Sequence, residues 1–394
     1  MRAHTVPLTD PIDLNDVAGG DGVLFVRDGV GFAGRGVAAR LRPEDAVVAL
    51  SAIDHDDRVG GHHPVALGWV PFRPGVGGEM VIPSLLVGKS ADGRMWMTSV
   101  EGGHEPPPPL TAAQRPAPGA HSFTVAPRTP IERYVDAVTA ARTAVRSGEL
   151  TKAVIAREVE VSSDAAIDVH AVLVRLRASF GSSYRYSIDG LIGASPELLV
   201  SVEGSRVRSH PLAGTAPRSG DPATDARVAA ALIASTKDQI EHRVVIDMIH
   251  DTLLPWCSYL DWEPEPSIVT VANVQHLGTA MEGHLSEPRP HVLDLVRALC
   301  PTPALGGYPR ESALRLIDAV EGFDRGRYGG AVGWFDATGD GTWAVTIRCA
   351  ELSADRRSAR LVAGGGIVAA SEPDAELAET QAKLQAMLSA IVRP

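Results

Sequence analysis

Cysteine is scarce in this chain: three in 394 residues, at Cys257, Cys300 and Cys349. Their number is odd and no two stand in a CxxC spacing, which excludes a disulfide scaffold and offers no zinc pattern. They read as small buried hydrophobes in a reducing compartment. Basic residues are also few: 37 Lys plus Arg face 48 Asp plus Glu, a net charge of -11 with no long basic run. That argues against nucleic acid or an anionic membrane as the partner. No segment approaches the roughly 20 apolar residues of a membrane span, and MRAHTVPLTDPIDLND lacks the apolar core of a signal peptide. The expectation is a cytoplasmic protein. Net charge does not exclude an anionic substrate, because a few placed cations outweigh it locally.

What is present is ordinary globular composition, 44% hydrophobic and 22% charged, with length for a large core. From Val23 to Val100 the apolar runs VLFV (23–26), AVVAL (46–50) and MVIPSLLV (80–87) alternate with Gly, Asp and Pro clusters, so this third is predicted mostly β. HEPPPPLTAAQRPAPGAH (104–121) reads as an extended surface connection. Thr129-Pro130-Ile131-Glu132 carries the cap, proline and carboxylate of a helix start, and that helix should stop near Ser147-Gly148. KAVIAREVEV (152–161) is a predicted strand and HAVLVRLRASF (170–180) a helix; strands follow at 183–188, 198–203 and 206–210. Residues 223–254 have helical apolar spacing without internal Pro or Gly, which predicts one long helix. A hairpin is expected around 336–341, then a strand at 360–369 and a last helix from Glu376 to Ile391. The element order is not a regular βαβ alternation, so an α+β fold with large antiparallel sheets is favoured. Its division is read as one large domain, with 1–125 a mostly-β portion and 126–394 the catalytic portion.

Two helical segments carry paired carboxylates. In KDQIEH, Asp238 and Glu241 stand three apart on one face; in ELAETQAK, Glu376, Glu379 and Lys383 share a face. Such pairs are usually solvated helix faces, but two of them can converge on a hard cation such as Mg²⁺.

Their company gives them meaning. LTKAVIAR (150–157), SPELL (195–199), PLAGTAPR (211–218), KDQIEH (237–242), PTPALGG (301–307), WAVTIR (343–348), GGGIV (364–368) and ELAETQAK (376–383) occur in this order. The set resembles the chorismate-utilising enzymes, a family that includes isochorismate synthases, salicylate synthases, anthranilate synthase large components and aminodeoxychorismate synthases. It spans about residues 125–394.

The resemblance implies two stacked antiparallel sheets with outer helices and an active site between them. It implies Mg²⁺ held by Glu241 and Glu379, with Asp238 and Glu376 beside them, fixing the ring carboxylate of chorismate. Lys152 falls where the isochorismate-forming members carry their general base, a lysine that ammonia-using members lack. To act near neutral pH its amine must lose a proton well below the usual value near 10.4. Glu197 matches the general acid that protonates the departing C4 hydroxyl. Arg348 resembles the arginine gripping the enolpyruvyl carboxylate, with Lys383 adding charge to that pocket. Gly214 with Thr215, and Gly364 and Gly366, would let the backbone approach the substrate. His276 matches a family histidine near the ring. The 364–366 run fits neither a dinucleotide nor a P-loop motif.

Two positions depart from the family pattern: Cys300 replaces a histidine before PTPA, and Gly365 stands where alanine is usual. His55, His62 and His63 lack supporting Cys or carboxylate spacing and read as a polar loop. The expected activity is conversion of chorismate to isochorismate, feeding siderophore, menaquinone or salicylate production, by a monomer without a glutaminase subunit. The rivals are a salicylate synthase, which also eliminates pyruvate, and a chorismate-binding protein without activity.

Overall fold

The computed structural model describes residues 1–75, 77–110 and 121–392. Among these, strands assemble into sheets of thirteen, nine and three strands. Every neighbouring pair is antiparallel except Arg2–Pro7 with Asp54–Asp57. Both large sheets mix strands from before and after residue 125. Val23–Arg27 pairs with Tyr184–Ile188 in the larger, and Val65–Val70 pairs with Ala331–Asp336 in the smaller.

The two-residue side-chain period of a strand explains why VLFV is apolar throughout. Val23 and Phe25 face the core between the sheets, whereas Leu24 and Val26 face a second core beneath the Val169–Phe180 and Pro373–Val392 helices. The sheets meet where Phe32 of one packs edge-on against Trp334 of the other, ring centroids 4.8 Å apart. This is the α+β stack with covering helices that the sequence implied.

Four local expectations need correction. AVVAL is not a strand but the body of a helix, Pro43–Ser51. Its proline in the first turn followed by Glu44 and Asp45 is a helix start, which outweighs a five-residue apolar run that periodicity cannot assign. MVIPSLLV is two strands, Glu79–Ile82 and Leu85–Lys89, because Pro83 cannot donate to a ladder. Thr129 does not cap the Ile131–Arg146 helix; its hydroxyl accepts from the Glu158 N–H instead. The long helix is two, Pro222–Ala234 and Thr236–Leu253, broken at Ser235, whose hydroxyl caps the second by accepting from the Asp238 N–H. Residues 111–120 of the proline-rich connection lie outside the described residues. Among the described residues no helix is long and apolar enough to cross a membrane.

Two of the passages between the large sheets lie side by side. Pro196-Glu197 joins Leu191–Ser195 of one sheet to Leu198–Glu203 of the other. Thr346-Ile347-Arg348 joins Gly341–Val345 back to Cys349–Leu352. The Val345 N–H donates to the Glu197 carbonyl at 3.1 Å, and the Ala194 N–H to the Arg348 carbonyl at 3.1 Å. The WAVTIR segment is therefore not a continuous strand: its arginine stands at the crossing with φ +50, a conformation a non-glycine residue adopts at a cost of about 1–3 kcal/mol.

Candidate active site

These crossings put Glu197 and Arg348 at the wall of a cavity of about 50 Å³ that Gly214, Thr215, Glu241, His276, Gly364, Gly366 and Lys383 also line. A larger crevice, about 470 Å³, lies elsewhere, but its arginines are already paired: Arg40 with Asp189 and Arg356 with Asp21. Volume does not locate the chemistry here; unpaired buried atoms occur elsewhere too, Arg185 Nε among them, but four on charged side chains gather in this neighbourhood. Lys152 Nζ, Glu197 Oε1, Arg348 Nε and Glu376 Oε2 are all buried without a hydrogen-bond partner, a costly state that native proteins keep for a purpose.

Lys152 opens the Lys152–Ser163 strand, held between Gly307-Tyr308 on one side and Ser358–Ile367 on the other. Its side chain is 1% exposed and Nζ stands 2.9 Å from Glu241 Oε1, close enough for an ion pair but poorly aligned for a hydrogen bond. Burial would raise the Glu241 carboxyl, but the ammonium groups of Lys152, Lys383 and Lys237 outweigh it and hold that carboxyl below its ordinary range. Glu241 comes from the Thr236–Leu253 helix, and it fits because residue 366 is glycine: a Cβ there would sit 2.2 Å from Glu241 Oε1 and 2.8 Å from Lys152 Cε.

Each carboxylate of the two helical pairs has a lysine or a neighbour of like charge. Lys237 Nζ donates to Glu376 Oε1 at 3.1 Å, and Lys383 Nζ lies 2.5 Å from Glu379 Oε1 and donates to the Gly364 carbonyl at 2.9 Å. Burial lowers the affinity of Lys237 for its proton, yet Glu376, Glu241 and Glu379 together reverse the direction. The three carboxylates, from two helices, thus act on one point. Burial, with Glu241 and Glu379 adding repulsion, raises Asp238 against a hydrogen bond from Ser235; burial and then Glu379 raise Glu376. Asp238 packs on Gly214, whose φ of +78 suits glycine and whose Cβ would lie 3.1 Å from Asp238 Cβ. At the unusual Gly365, a Cβ would come within 2.7 Å of the unpaired Glu376 Oε2.

Glu197 is 2% exposed. Burial pushes its carboxyl up to about 8 despite the Leu212 N–H and the charges of Lys152, Arg348 and Lys383, so it holds a proton at neutral pH. Arg348 Nη2 donates to His276 Nε2 at 3.1 Å. His276 must then carry its proton on Nδ1, which faces the Gly214 carbonyl at 3.2 Å and Thr215 Oγ1 at 3.1 Å. Burial, then Arg348 and Lys383, hold this histidine far below its ordinary value, hence neutral. It aims the guanidinium without adding charge.

All thirteen residues predicted for the site belong to this one neighbourhood. Sequence reasoning missed Lys237 as the partner of Glu376, and also Tyr328 and Leu305, which line the cavity. Lys237 stands in the quoted KDQIEH, where its charge beside two carboxylates was the available signal. His242 of the same segment is buried, donating to or accepting from Thr279 Oγ1 at 2.8 Å, and burial with Lys152 lowers it to about 4. Cys300 is buried, its thiol pushed up to about 12 by burial, so it is inert. His55 and His63 lie with ring centroids 5.9 Å apart, and His62 stacks on Trp96. Among the described residues no three His, Cys, Asp or Glu side chains form a ready metal cluster, there or elsewhere.

The family profile described as chorismate binding enzyme matches residues 107–392. The chain is 37% identical to the isochorismate synthase DhbC of Bacillus subtilis, over 84% of this chain and 82% of that one. It is 37% identical to the isochorismate synthase EntC of Escherichia coli, over 86% and 84%. The structure superposes on a DhbC structure from Bacillus anthracis with a TM-score of 0.81 at 33% identity, covering 96% and 98% of the two chains. Anthranilate synthase component I of Streptococcus pneumoniae shares the fold, with a TM-score of 0.71 at 21% identity over 98% and 92%. With the matched profile spanning the strand of Lys152, both sheet crossings and both carboxylate helices, the chain belongs to the chorismate-binding enzyme family.

Proposed function

We propose that this chain is an isochorismate synthase, an isomerase that adds water at C2 of chorismate and expels the C4 hydroxyl. One observation carries the reading: a buried lysine amine stands 2.9 Å from Glu241, which lines the same cavity as the buried Glu197 carboxyl that keeps its proton to about pH 8. By the family resemblance, Lys152 stands where the isochorismate-forming members carry a lysine that the ammonia-using members lack. The names of the relatives DhbC and EntC support the same reading.

Lys152, as the free amine, takes a proton from the attacking water, and the ring double bonds shift. Glu197 delivers its proton to the C4 oxygen, which leaves as water, so protons balance over the cycle. Arg348, aimed by His276, takes the enolpyruvyl carboxylate through two parallel N–H groups, and Lys383 adds charge to the same pocket. The burial of Glu197, His276 and Arg348 keeps these contacts largely out of water, which strengthens each of them.

The chemistry of the four carboxylates suits Mg²⁺, although among the described residues no three of them stand as a preformed cluster. Glu376 keeps an unpaired buried oxygen, Asp238 and Glu376 are raised by like charge, and all the donors are oxygens. Glu241 and Glu379, with Asp238 and Glu376 beside them, would hold the ion. Bound there, Mg²⁺ would neutralise and fix the ring carboxylate of the substrate.

The test is incubation of purified protein with chorismate and Mg²⁺ without any ammonia source, with chromatography and mass detection. A product of unchanged mass that an isochorismatase then consumes is the expected result. Salicylate with pyruvate would move the chain to salicylate synthesis, and absence of turnover would leave a chorismate-binding protein.

A further inference from the structure

Beside the Lys152 strand lies an ion pair about as deeply buried as Lys152 itself. The side chains of Glu321 and Arg325 are 0% and 1% exposed. Arg325 Nε donates to Glu321 Oε2 at 2.9 Å, and Nη2 reaches Glu321 Oε1. The remaining donors do not close on the pair. Nη1 donates to the Leu305 carbonyl at 2.7 Å and Nη2 to the Val154 carbonyl at 2.6 Å, while Glu321 Oε1 accepts the Ala156 N–H at 2.7 Å.

Val154 and Ala156 are the second and fourth residues after Lys152 on its strand. Leu305 belongs to the PTPALGG loop, which runs into the Gly307-Tyr308 segment paired with the Lys152 strand, and Val154 and Leu305 both line the cleft. The same two segments also meet directly, the Val154 N–H donating to the Gly306 carbonyl at 3.1 Å. One guanidinium therefore bolts the strand of Lys152 to the adjoining loop. The Phe72 ring, from the N-terminal third, covers that guanidinium with its centroid 4.4 Å from Cζ, and the Phe72 N–H donates to the Gly326 carbonyl at 3.0 Å.

We propose that Glu321 and Arg325 are positioning residues that fix the strand of Lys152 against the adjoining PTPALGG loop that lines the cleft, and that Phe72 is how the N-terminal third reaches the active site. A buried ion pair adds little net stability over an apolar pair of the same shape. What it adds is geometry: a planar fork holds two carbonyls and a carboxylate at fixed angles, which a lysine ammonium cannot do from one atom. The inference rests on Lys152 as base, as proposed above.

The experiment compares wild type with Arg325→Lys, Glu321→Gln and, as the milder change, Phe72→Leu. Each is read by kcat and KM for chorismate, by thermal midpoint, and by peptide-level hydrogen exchange. Arg325→Lys should remain folded with KM within about threefold of wild type and kcat lower by about ten- to a hundredfold, the size of a displacement on the order of 1 Å at a reacting centre. Exchange should accelerate in peptides covering 152–157 and 301–307 and stay unchanged in 331–345. Phe72→Leu should show the same pattern at smaller amplitude. Wild-type kcat in the folded lysine variant, or exchange raised evenly over the whole chain, would overturn the proposal. Because exchange needs no turnover, it decides the question even if wild type proves inactive, a result that would count against the functional reading alone.

Discussion

Lys152 and Glu241 meet at 2.9 Å across the α-carbon of Gly366, with no side chain between them. With Lys152 as base and Glu241 as a metal ligand, as proposed, turnover is expected to draw Glu241 away from Lys152. Gly366→Ala places a methyl where Glu241 Oε1 now lies and should leave a folded protein with kcat lowered by about a hundredfold or more, measured against its thermal midpoint. A variant with normal kcat would show that the close approach is dispensable.

The two partners should fail differently. Lys152→Ala removes the base and is expected to cost on the order of 10²–10⁴ in kcat while leaving Mg²⁺ binding measurable by calorimetry. Glu241→Gln should abolish Mg²⁺ binding and Mg²⁺-dependent turnover together. If the glutamine variant binds and uses the ion as wild type does, the metal assignment is wrong.

Lys237 gives a prediction of the opposite sign. Its ammonium already serves Glu376 and lies in the field of Glu241 and Glu379. At the proposed Mg²⁺ site an entering cation competes with this ammonium. Lys237→Met should lower the thermal midpoint of the metal-free protein, because Glu376 is then buried without a partner. It should also tighten Mg²⁺ binding by about tenfold, equivalent to about 1.4 kcal/mol, and enlarge the midpoint gain on adding Mg²⁺. Weaker Mg²⁺ binding in this variant would make Lys237 an ally of the metal rather than its competitor.

The sequence told more about which residues matter than about how they are held. Seven of the eight ordered segments carry twelve of the thirteen candidate site residues within short runs; His276 lies outside them and PTPALGG carries none. What they could not show were relations made only by folding. Lys237 and Glu376 are 139 residues apart, and nothing local marks them as a pair. The positive φ of Arg348 follows from its place at a passage between sheets, which a strand-like pattern across WAVTIRCAEL conceals. The break at Ser235 was missed for a local reason. Serine inside a helical pattern is tolerated, but a hydroxyl that satisfies the Asp238 N–H can begin a new helix. That break sets Lys237, Asp238 and Glu241 in the first turns of a helix, where its dipole favours the carboxylates.

Glu197 supplies the pH dependence. Its carboxyl is raised from 4.5 to about 8, first by burial. As general acid it must be protonated, so kcat should hold below pH 8 and fall as pH rises through that value, unless the base limits the rate first. The stability effect has the same direction. A group whose folded value exceeds its unfolded one contributes fully below the unfolded value, near 4.5, and loses that contribution up to about 8. Glu197→Gln, neutral at every pH, should remove this loss, leaving a flatter thermal midpoint between pH 5 and 8. It should also lower kcat by about 10²-fold or more while the Arg348 site still binds chorismate. A glutamine variant that keeps the wild-type slope of stability against pH would mean that Glu197 is ionised in the folded protein, and the acid would then have to be sought elsewhere in the cleft.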